Sequence, residues 1–488
     1  MSCDQELFKI DPIKPIKDFP ELHWTGKRPF TVTQYYPAQC RERFGEKQDG
    51  WINKLYWGDN LQVMSHLLKE FRGKVNLIYI DPPFDDKADY KKKIETKTHS
   101  ASFKEKQYGN IWTNDAYQQF MYERLILMRE LLSDTGSIYL HCDWHKSHYL
   151  RLLMDEVFGT NNFRNEIAWC YLVNKGKFTN KYPPRHDTVL FYAKTDLNFF
   201  AGEEVRMEPS EATLKRWGSY AHENGEVPYE KLTPGMKKVA GKDKKPYLLR
   251  GGLQVDWITK IPGLNSGDSK ENNGYPTQKP EKLLEIFIKA SSKPGDIIFD
   301  CFMGSGTAQA VAMKHGRRFI GADINCGAIH TTTKRLIGIK NELDSNRDTK
   351  NRKYTGFEVY NVNNGIVDIL RGKSRHELKQ GTKADVQRKG NRLIIKEFNP
   401  INLLKKLSKD FASGAPGASD SAVIYWKELV DSVMIDFNYA GAEMVPSVID
   451  IPDRNSFVKG EYDIPEDAGR IKIKITDLIS ESLEIILE

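Results

Sequence analysis

The chain has 488 residues, 39% hydrophobic and 28% charged, which is enough for about two to four domains with cores of their own and excludes a disordered polymer. A formal net charge of +7 and a pI near 8.8 favour an anionic partner only weakly. The six cysteines (Cys3, Cys40, Cys142, Cys170, Cys301 and Cys326) form no Cys-x-x-Cys pair, no apolar run is long enough to span a bilayer, and the first residues lack a basic-then-apolar leader; neither a zinc site, a disulfide framework nor a membrane anchor is indicated, and a cytoplasmic setting is expected.

Residues 1–50 are rich in Pro and Lys and poorly periodic, and read as an arm packed on the main domain. Lys54 to Gly58 suits a short strand, and Asp59 to Phe71 a helix with Asp59 or Asn60 near its N-cap. Val75 to Ile80 is an apolar run of strand length that stops in Asp81-Pro82-Pro83-Phe84. Prolines end a ladder because they have no N–H and a fixed φ. They leave Asp81 at the carboxyl end of a strand, where ligands bind in open α/β sheets. The tetrapeptide is therefore either a rigid turn or a site held rigid. Residues 85–107 follow with seven lysines and five acids and read as a loop, either solvated or closing over phosphates.

Tyr117 to Leu132 has helical apolar spacing, Gly136 to Asp143 is a buried strand ending in a carboxylate, and His148 to Phe158 is a further helix. His141, His145 and His148 surround Asp143, but no Cys or Glu completes a ligand set; no metal is expected, and the strand end is more in keeping with a base pocket. Ile167 to Tyr171 and Thr188 to Ala193 read as strands. From about 174 to 276 the chain becomes rich in Lys, Arg, Gly, Pro and aromatics, a mixture suited to phosphate contacts and base-edge reading. Trp217, Tyr220, Tyr229 and Trp257 fit that role or the core of a small domain.

Regular patterning returns with a helix from Glu281 to Lys289, a strand from Asp296 to Phe299, a helix from Thr307 to His315 and a strand from Phe319 to Ala322. Such alternation implies a parallel sheet with crossover helices. Between strand and helix lies Asp300-Cys-Phe-Met-Gly-Ser-Gly-Thr307. Its glycines allow close approach to the backbone, although an ordinary tight turn would read the same way. It is not Gly-x-Gly-x-x-Gly, so a nucleoside fits better than a pyrophosphate, with Asp323 at the next strand end to take both ribose hydroxyls.

Asp81-Pro-Pro-Phe84, Thr277-Gln-Lys-Pro280 and Phe302-x-Gly-Ser-Gly-Thr307 together resemble the amino-methyltransferases of DNA, in the order of their β group. Gly58-Asp-Asn-Leu61 and the block Met121 to Asp143 are similar to that family too, so the resemblance covers roughly residues 50 to 340. It is nearest to stand-alone adenine methyltransferases and to modification subunits of type III systems. It implies an α/β, Rossmann-like methyltransferase fold with a mostly parallel sheet, an inserted target-recognition region and a small β-rich C-terminal domain. The implied cofactor is S-adenosylmethionine, held by Asp59, Leu61, Thr277, Lys279, Asp300, Phe302, Gly304, Gly306, Thr307 and Asp323, with Asp323 on the ribose and Thr277 and Lys279 on the methionine part. The implied catalytic set is Asp81, Pro82, Pro83 and Phe84. Within the family Asp at the first position goes with adenine N6 and Ser with cytosine N4. Cys301 stands where the family commonly has proline.

The implied reaction is site-specific methylation of an adenine flipped out of duplex DNA. A prokaryotic or phage restriction–modification setting is implied, with an accessory restriction subunit and a homodimer both compatible with it. A cytosine-N4 methyltransferase, a nicotinamide-dependent oxidoreductase and a non-catalytic nucleic-acid-binding module are the alternatives. The expected organisation is an arm (1–50), a catalytic domain (51–173 and 277–340), a target-recognition region (174–276) and an accessory domain (341–488). Asn341 to Lys353 reads as a linker, Asn399 to Phe411 as a helix and Ala412 to Ser421 as low-complexity. Val423 to Trp426, Ser432 to Phe437 and Arg470 to Thr476 read as strands.

Overall fold

Strands buried on both faces are written as unbroken apolar runs, and the runs seen in the sequence become the centre of one ten-stranded sheet. The computed structural model describes residues 6–83, 89–95, 102–109, 114–171, 180, 182–222, 226–234, 236–237, 247–248, 251–264, 271–275, 277–345, 355–362, 382–412, 425–453 and 456–488. In chain order the sheet comprises β1 (Ala38–Phe44), β2 (Asn53–Trp57), β3 (Val75–Ile80), β4 (Leu132–Cys142), β5 (Phe163–Cys170), β6 (His186–Ala193), β7 (Trp257–Ile258), β8 (Ile297–Asp300), β9 (Arg318–Asp323) and β10 (Phe357–Val362). Their spatial order is β7-β5-β6-β4-β3-β8-β9-β2-β10-β1. The six from β4 to β10 are parallel. β6 runs antiparallel between β4 and β5, and β1 antiparallel along β10.

Alternation along each strand feeds two cores. Ile78 and Ile80 of β3 and Phe299 of β8 face α1 (Asn60–Phe71), α2 (Asn114–Leu131) and α3 (Ser147–Phe158), through residues such as Leu67, Met121 and Leu153. Leu77 and Tyr79 of β3 and Ile298 of β8 face α4 (Glu281–Ser291), α5 (Thr307–Lys314) and α6 (Cys326–Ser345), through Phe287, Val311 and Leu336. Asp59 caps α1 by accepting the N–H groups of Leu61 and Gln62. Among the described residues no helix is long and apolar enough to cross a membrane.

The structure departs from the sequence reading at several points. The lysine-rich stretch read as a loop contains an antiparallel hairpin of Asp89–Glu95 with Ser102–Gly109. The expected arm contributes β1 to the sheet, and Asn341–Ser345, read as linker, is the last turn of α6. The sheet is completed only by β10, past the boundary expected near residue 340. The span read as a target-recognition insert likewise returns β6 and β7 to the sheet. Trp426 opens a short 3-10 turn to Leu429 instead of ending a strand; Val423 and Ile424 lie outside the described residues, as does most of the low-complexity stretch Ala412 to Ser421.

The C-terminal part holds a three-stranded sheet (Lys383–Lys389, Arg392–Asn399, Glu461–Asp463) and a four-stranded one (Val448–Asp450, Val430–Asp436, Ile471–Asp477, Ser482–Leu487). They share a core that includes Leu393, Phe398, Val433 and Ile473. This part docks on the edge of the large sheet. Met444 exchanges backbone hydrogen bonds with Arg41 and Arg43 beside β10, and Asp431 meets His330 Nε2 at 2.5 Å and Lys334 Nζ at 2.9 Å on α6.

Burial pushes the Asp431 carboxyl up, but the hydrogen bond and charge of His330 and the ammonium of Lys334 outweigh it and hold the group well below the usual carboxylate range. A carboxyl depressed in the folded state stabilises above its ordinary pKa and loses that contribution as pH falls through the depressed one. Asp431→Ala is expected to cost about 2 kcal/mol at neutral pH. In thermal melts the gap between wild type and variant should narrow on acidification below about pH 4.

Candidate active site

β3, β8 and β9 are parallel neighbours, so their carboxyl ends open on one edge, and the chain places an acid at each: Asp81, Asp300 and Asp323. Asp81 Oδ2 accepts from Lys279 Nζ at 2.7 Å. Asp81 Oδ1 is buried without a hydrogen-bond partner among the described residues. A buried carboxylate oxygen left unpaired is costly, so its lone pairs are set to receive a donor from a bound molecule. Pro82 behind it is buried and Pro83 half-buried; Phe84 lies outside the described residues.

Lys279 is itself buried. Burial works to lower its pKa, but the carboxylates of Asp81, Asp187 and Asp143 outweigh it and hold the ammonium above its usual value. The motif reading gave this lysine to the methionine part of a cofactor; the structure puts its amino group on Asp81. Thr277, its expected companion, is exposed and sits at φ +66°.

The turn after β8 is built on the other two acids. Asp300 Oδ1 accepts the Phe302 N–H at 2.9 Å, Asp323 Oδ2 the Gly304 N–H at 2.9 Å and Asp323 Oδ1 the Asn325 N–H at 2.8 Å. Burial pushes the Asp300 carboxyl well above the usual range, and the charges of Asp81 and Asp323 push the same way against the Phe302 N–H. Burial likewise raises Asp323 to about 6, against the backbone donors of Asn325, Gly304 and Ile324. Gly304 and Gly306 adopt φ +52° and +71°. A Cβ on Gly304 would stand 3.2 Å from the Tyr275 ring, and one on Gly306 2.4 Å from Thr332. Thr307 opens α5 and is buried; its Oγ1 donates to the Lys279 carbonyl at 3.3 Å and accepts from Arg335 at 3.0 Å. It thus ties the Thr277–Pro280 segment to the turn.

Asp59 and Leu61 stand on the other side. Besides capping α1, Asp59 pairs with Arg124 at 3.0 Å. Asn60 donates from its amide to the Cys301 carbonyl at 3.2 Å, so the start of α1 is docked on the turn. That contact uses the main chain of residue 301, which explains why cysteine serves where a proline was expected. Leu61 and Phe302 are half-buried against the same core, and the Phe302 ring meets Phe120 with centroids 6.2 Å apart.

Sequence reasoning missed a buried polar chain beneath Asp81. Tyr79 OH lies 3.0 Å from His141 Nδ1, His141 Nε2 lies 3.0 Å from Asp187 Oδ2, and Tyr171 OH donates to Asp187 Oδ1 at 2.8 Å. A carboxylate only accepts, so His141 Nε2 donates to Asp187. Burial pushes Asp187 up, but the hydrogen bond and charge of His141 and the charge of Lys279 bring it down to about 2. The three histidines around Asp143 are dispersed: His141 points to Asp187, His145 Nδ1 pairs with Asp143 at 2.6 Å, and His148 packs on Tyr149. In the recognition span Trp217 is core, buried with Val227 and Leu232, whereas Tyr220 and Trp257 are exposed. An unpaired buried acceptor beside a turn built on Asp323 suits a bound molecule that brings an N–H donor.

A family model described as DNA methylase matches residues 75–334. The chain is 28% identical over 327 residues to the type II methyltransferase M.EcaI of Enterobacter cloacae, an alignment covering 58% of this chain and 69% of that protein. It is 26% identical over 325 residues to the StyLTI Mod subunit, a type III restriction–modification protein of Salmonella typhimurium, covering 54% of this chain and only 50% of the other. The DNA adenine methyltransferase YhdJ of Escherichia coli is 27% identical over 296 residues, covering 60% and 84%.

Gly306→Ala should lower stability by about 1–3 kcal/mol from the left-handed backbone alone, and further from the clash with Thr332. Gly73, at φ +70° with nothing within 4 Å of a Cβ, is the control for backbone strain. Denaturant titration should show Gly306→Ala losing clearly more than Gly73→Ala; equal losses would mean that the turn yields to the added carbon.

Proposed function

The chain belongs to the DNA methylase family, and from that premise we propose that it transfers a methyl group from S-adenosylmethionine to the N6 amino group of an adenine flipped out of duplex DNA at a specific site. The observation that carries this reading is Asp81 Oδ1, a buried acceptor without a partner among the described residues at the carboxyl end of the sheet.

The residues present fit that cofactor. Asp323 would take the ribose hydroxyls. Gly304 and Gly306, at positive φ, shape the turn that would carry its chain beside Phe302, and Asp300 closes the strand end. Asp59, Leu61, Thr277, Lys279 and Thr307 border the same edge, Lys279 and Thr307 through their contacts with Asp81 and the turn. Asp323, ionised above about pH 6, complements a ligand that carries positive charge. When bound, S-adenosylmethionine supplies a methyl group on a sulfonium, an electrophile whose displacement leaves a neutral thioether.

The rest of the work falls to this chain. An adenine amino group is a poor nucleophile because its lone pair is delocalised into the ring. Asp81 Oδ1 accepts one of its N–H bonds and the Pro82 carbonyl the other, which draws electron density onto nitrogen and favours a pyramidal geometry. The two fixed φ angles hold that carbonyl in place, and Phe84 stacks on the base. The proton leaves nitrogen for Asp81 Oδ1 or water. Holding the amino group against the electrophile lowers the barrier chiefly by positioning. Residues 174–276 and the hairpin after Asp81 are the parts suited to DNA contact. Because relatives are named Mod subunits of type III enzymes, the reading extends to a restriction-type partner subunit.

Asp81→Ala should reduce methyl transfer to unmethylated duplex DNA by about a thousandfold or more while titration still shows the cofactor bound. Loss of cofactor binding with full turnover per bound cofactor would contradict the role given to Asp81. A second test uses Asp323, whose carboxyl is raised to about 6. It is protonated below that pH and ionised above it, so cofactor affinity should rise as pH increases from 5 to 7. Asp323→Asn should weaken binding and flatten that dependence.

A further inference from the structure

Lys279 and Asp187 are joined to the catalytic edge in a way that neither the motifs nor the methyl-transfer reading requires. Lys279 is a buried cation that touches Asp81 Oδ2 at 2.7 Å. Asp187, on a different strand, is the next carboxylate whose charge favours the ammonium. Asp187 is immobilised at both oxygens, by Tyr171 at 2.8 Å and by His141 at 3.0 Å, and His141 is fixed in turn by Tyr79. Tyr79 lies two residues before Asp81 on β3, and Asp187 is the second residue of β6, a strand within the span read as the recognition region. Hydrogen bonds thus join Lys279 to Asp81 and, separately, Asp187 to Tyr171, His141 and Tyr79, and the charge of Asp187 acts on the ammonium between them.

A buried ion pair of this kind contributes little net stability, because desolvation offsets the attraction. Its effect is geometric. With Oδ2 held by the ammonium, the Asp81 carboxylate has one orientation and presents Oδ1, the unpaired oxygen, to the reacting group. We propose that Lys279 is a positioning residue that fixes the Asp81 carboxylate for the amino group of the target base, and that Asp187 is the anchored counter-charge that keeps the lysine there. The proposal rests on the methyl-transfer reading of Asp81, and it makes one lysine the link between the catalytic acid and Asp187 on β6.

The test compares Lys279→Met, Lys279→Arg and Asp187→Asn with wild type in the full-length protein. Each is measured for kcat on duplex DNA at saturating cofactor, for the Kd of S-adenosylmethionine by calorimetry, and for folding by thermal melt. Lys279→Met should lower kcat by about a hundredfold, the scale of a misplaced reacting group, with Kd changed less than about threefold. Lys279→Arg should recover at least tenfold of that loss, and Asp187→Asn should lose about tenfold in kcat with Kd unchanged. The proposal is overturned if Lys279→Met raises Kd with kcat intact, which would return the lysine to the cofactor. It is also overturned if kcat is unaltered in Lys279→Met. Should Lys279→Met fail to fold, Asp187→Asn decides: a folded variant with wild-type kcat overturns the proposal. A wild type that binds S-adenosylmethionine and transfers nothing to DNA refutes the underlying reading, not the geometry around Lys279.

Discussion

Everything at the carboxyl edge of the sheet depends on bringing three acids close together in a place poor in water. Parallel strands β3, β8 and β9 must end side by side, and each ends in an acid. Asp81 is matched by Lys279. Asp300 is driven toward its neutral form by burial and by its neighbours. Asp323 is held by backbone donors of the turn that it shapes. The three acids therefore meet the same electrostatic problem in different ways: pairing, protonation and backbone solvation. The arrangement leaves one good acceptor, Asp81 Oδ1, without a partner among the described residues.

The surrounding fold serves to hold that edge still. The glycine turn can form only where residues 304 and 306 lack a Cβ, because Tyr275 and Thr332 close on them. Helix α1 is moored to the same turn through Asn60, and Arg124 of α2 holds the start of α1 by binding both Asn60 and Asp59. Thr307 binds the turn to the segment carrying Lys279, and Arg335 links both to Glu281. Far from the chemistry, Asp431 and Met444 fix the C-terminal part on α6 and β1, so that edge of the sheet is covered by protein.

Much of the fold was legible in the sequence because its signals are local. The run Val75–Ile80 cut short by Asp-Pro-Pro, and the strand–turn–helix around Gly304 and Gly306, carry their meaning in consecutive residues. Helix α1 and its Asp59 cap were readable for the same reason. What was not legible is long-range or masked by charge. Nothing near Lys279 announces an ion pair with a residue 198 positions away, and nothing near His141 announces Asp187. The three histidines near Asp143 looked like a cluster because sequence spacing ignores direction; their side chains diverge. The lysine-rich hairpin lacks an apolar alternation that would mark strands. The edge strand β1 and its neighbour β10 fell outside the expected catalytic domain because their partners lie far away in sequence. In each case tertiary contact, not local preference, determined the outcome.

The most direct test of the central claim is the identity of the base that is modified. Purified protein is incubated with S-adenosylmethionine and unmethylated duplex DNA of mixed sequence, and the digested nucleosides are weighed by mass spectrometry. N6-methyladenine, with unmodified cytosine, is the result this account predicts from an aspartate at the end of β3. N4-methylcytosine in its place, or no methylated base from a protein that demonstrably binds the cofactor and DNA, would contradict it.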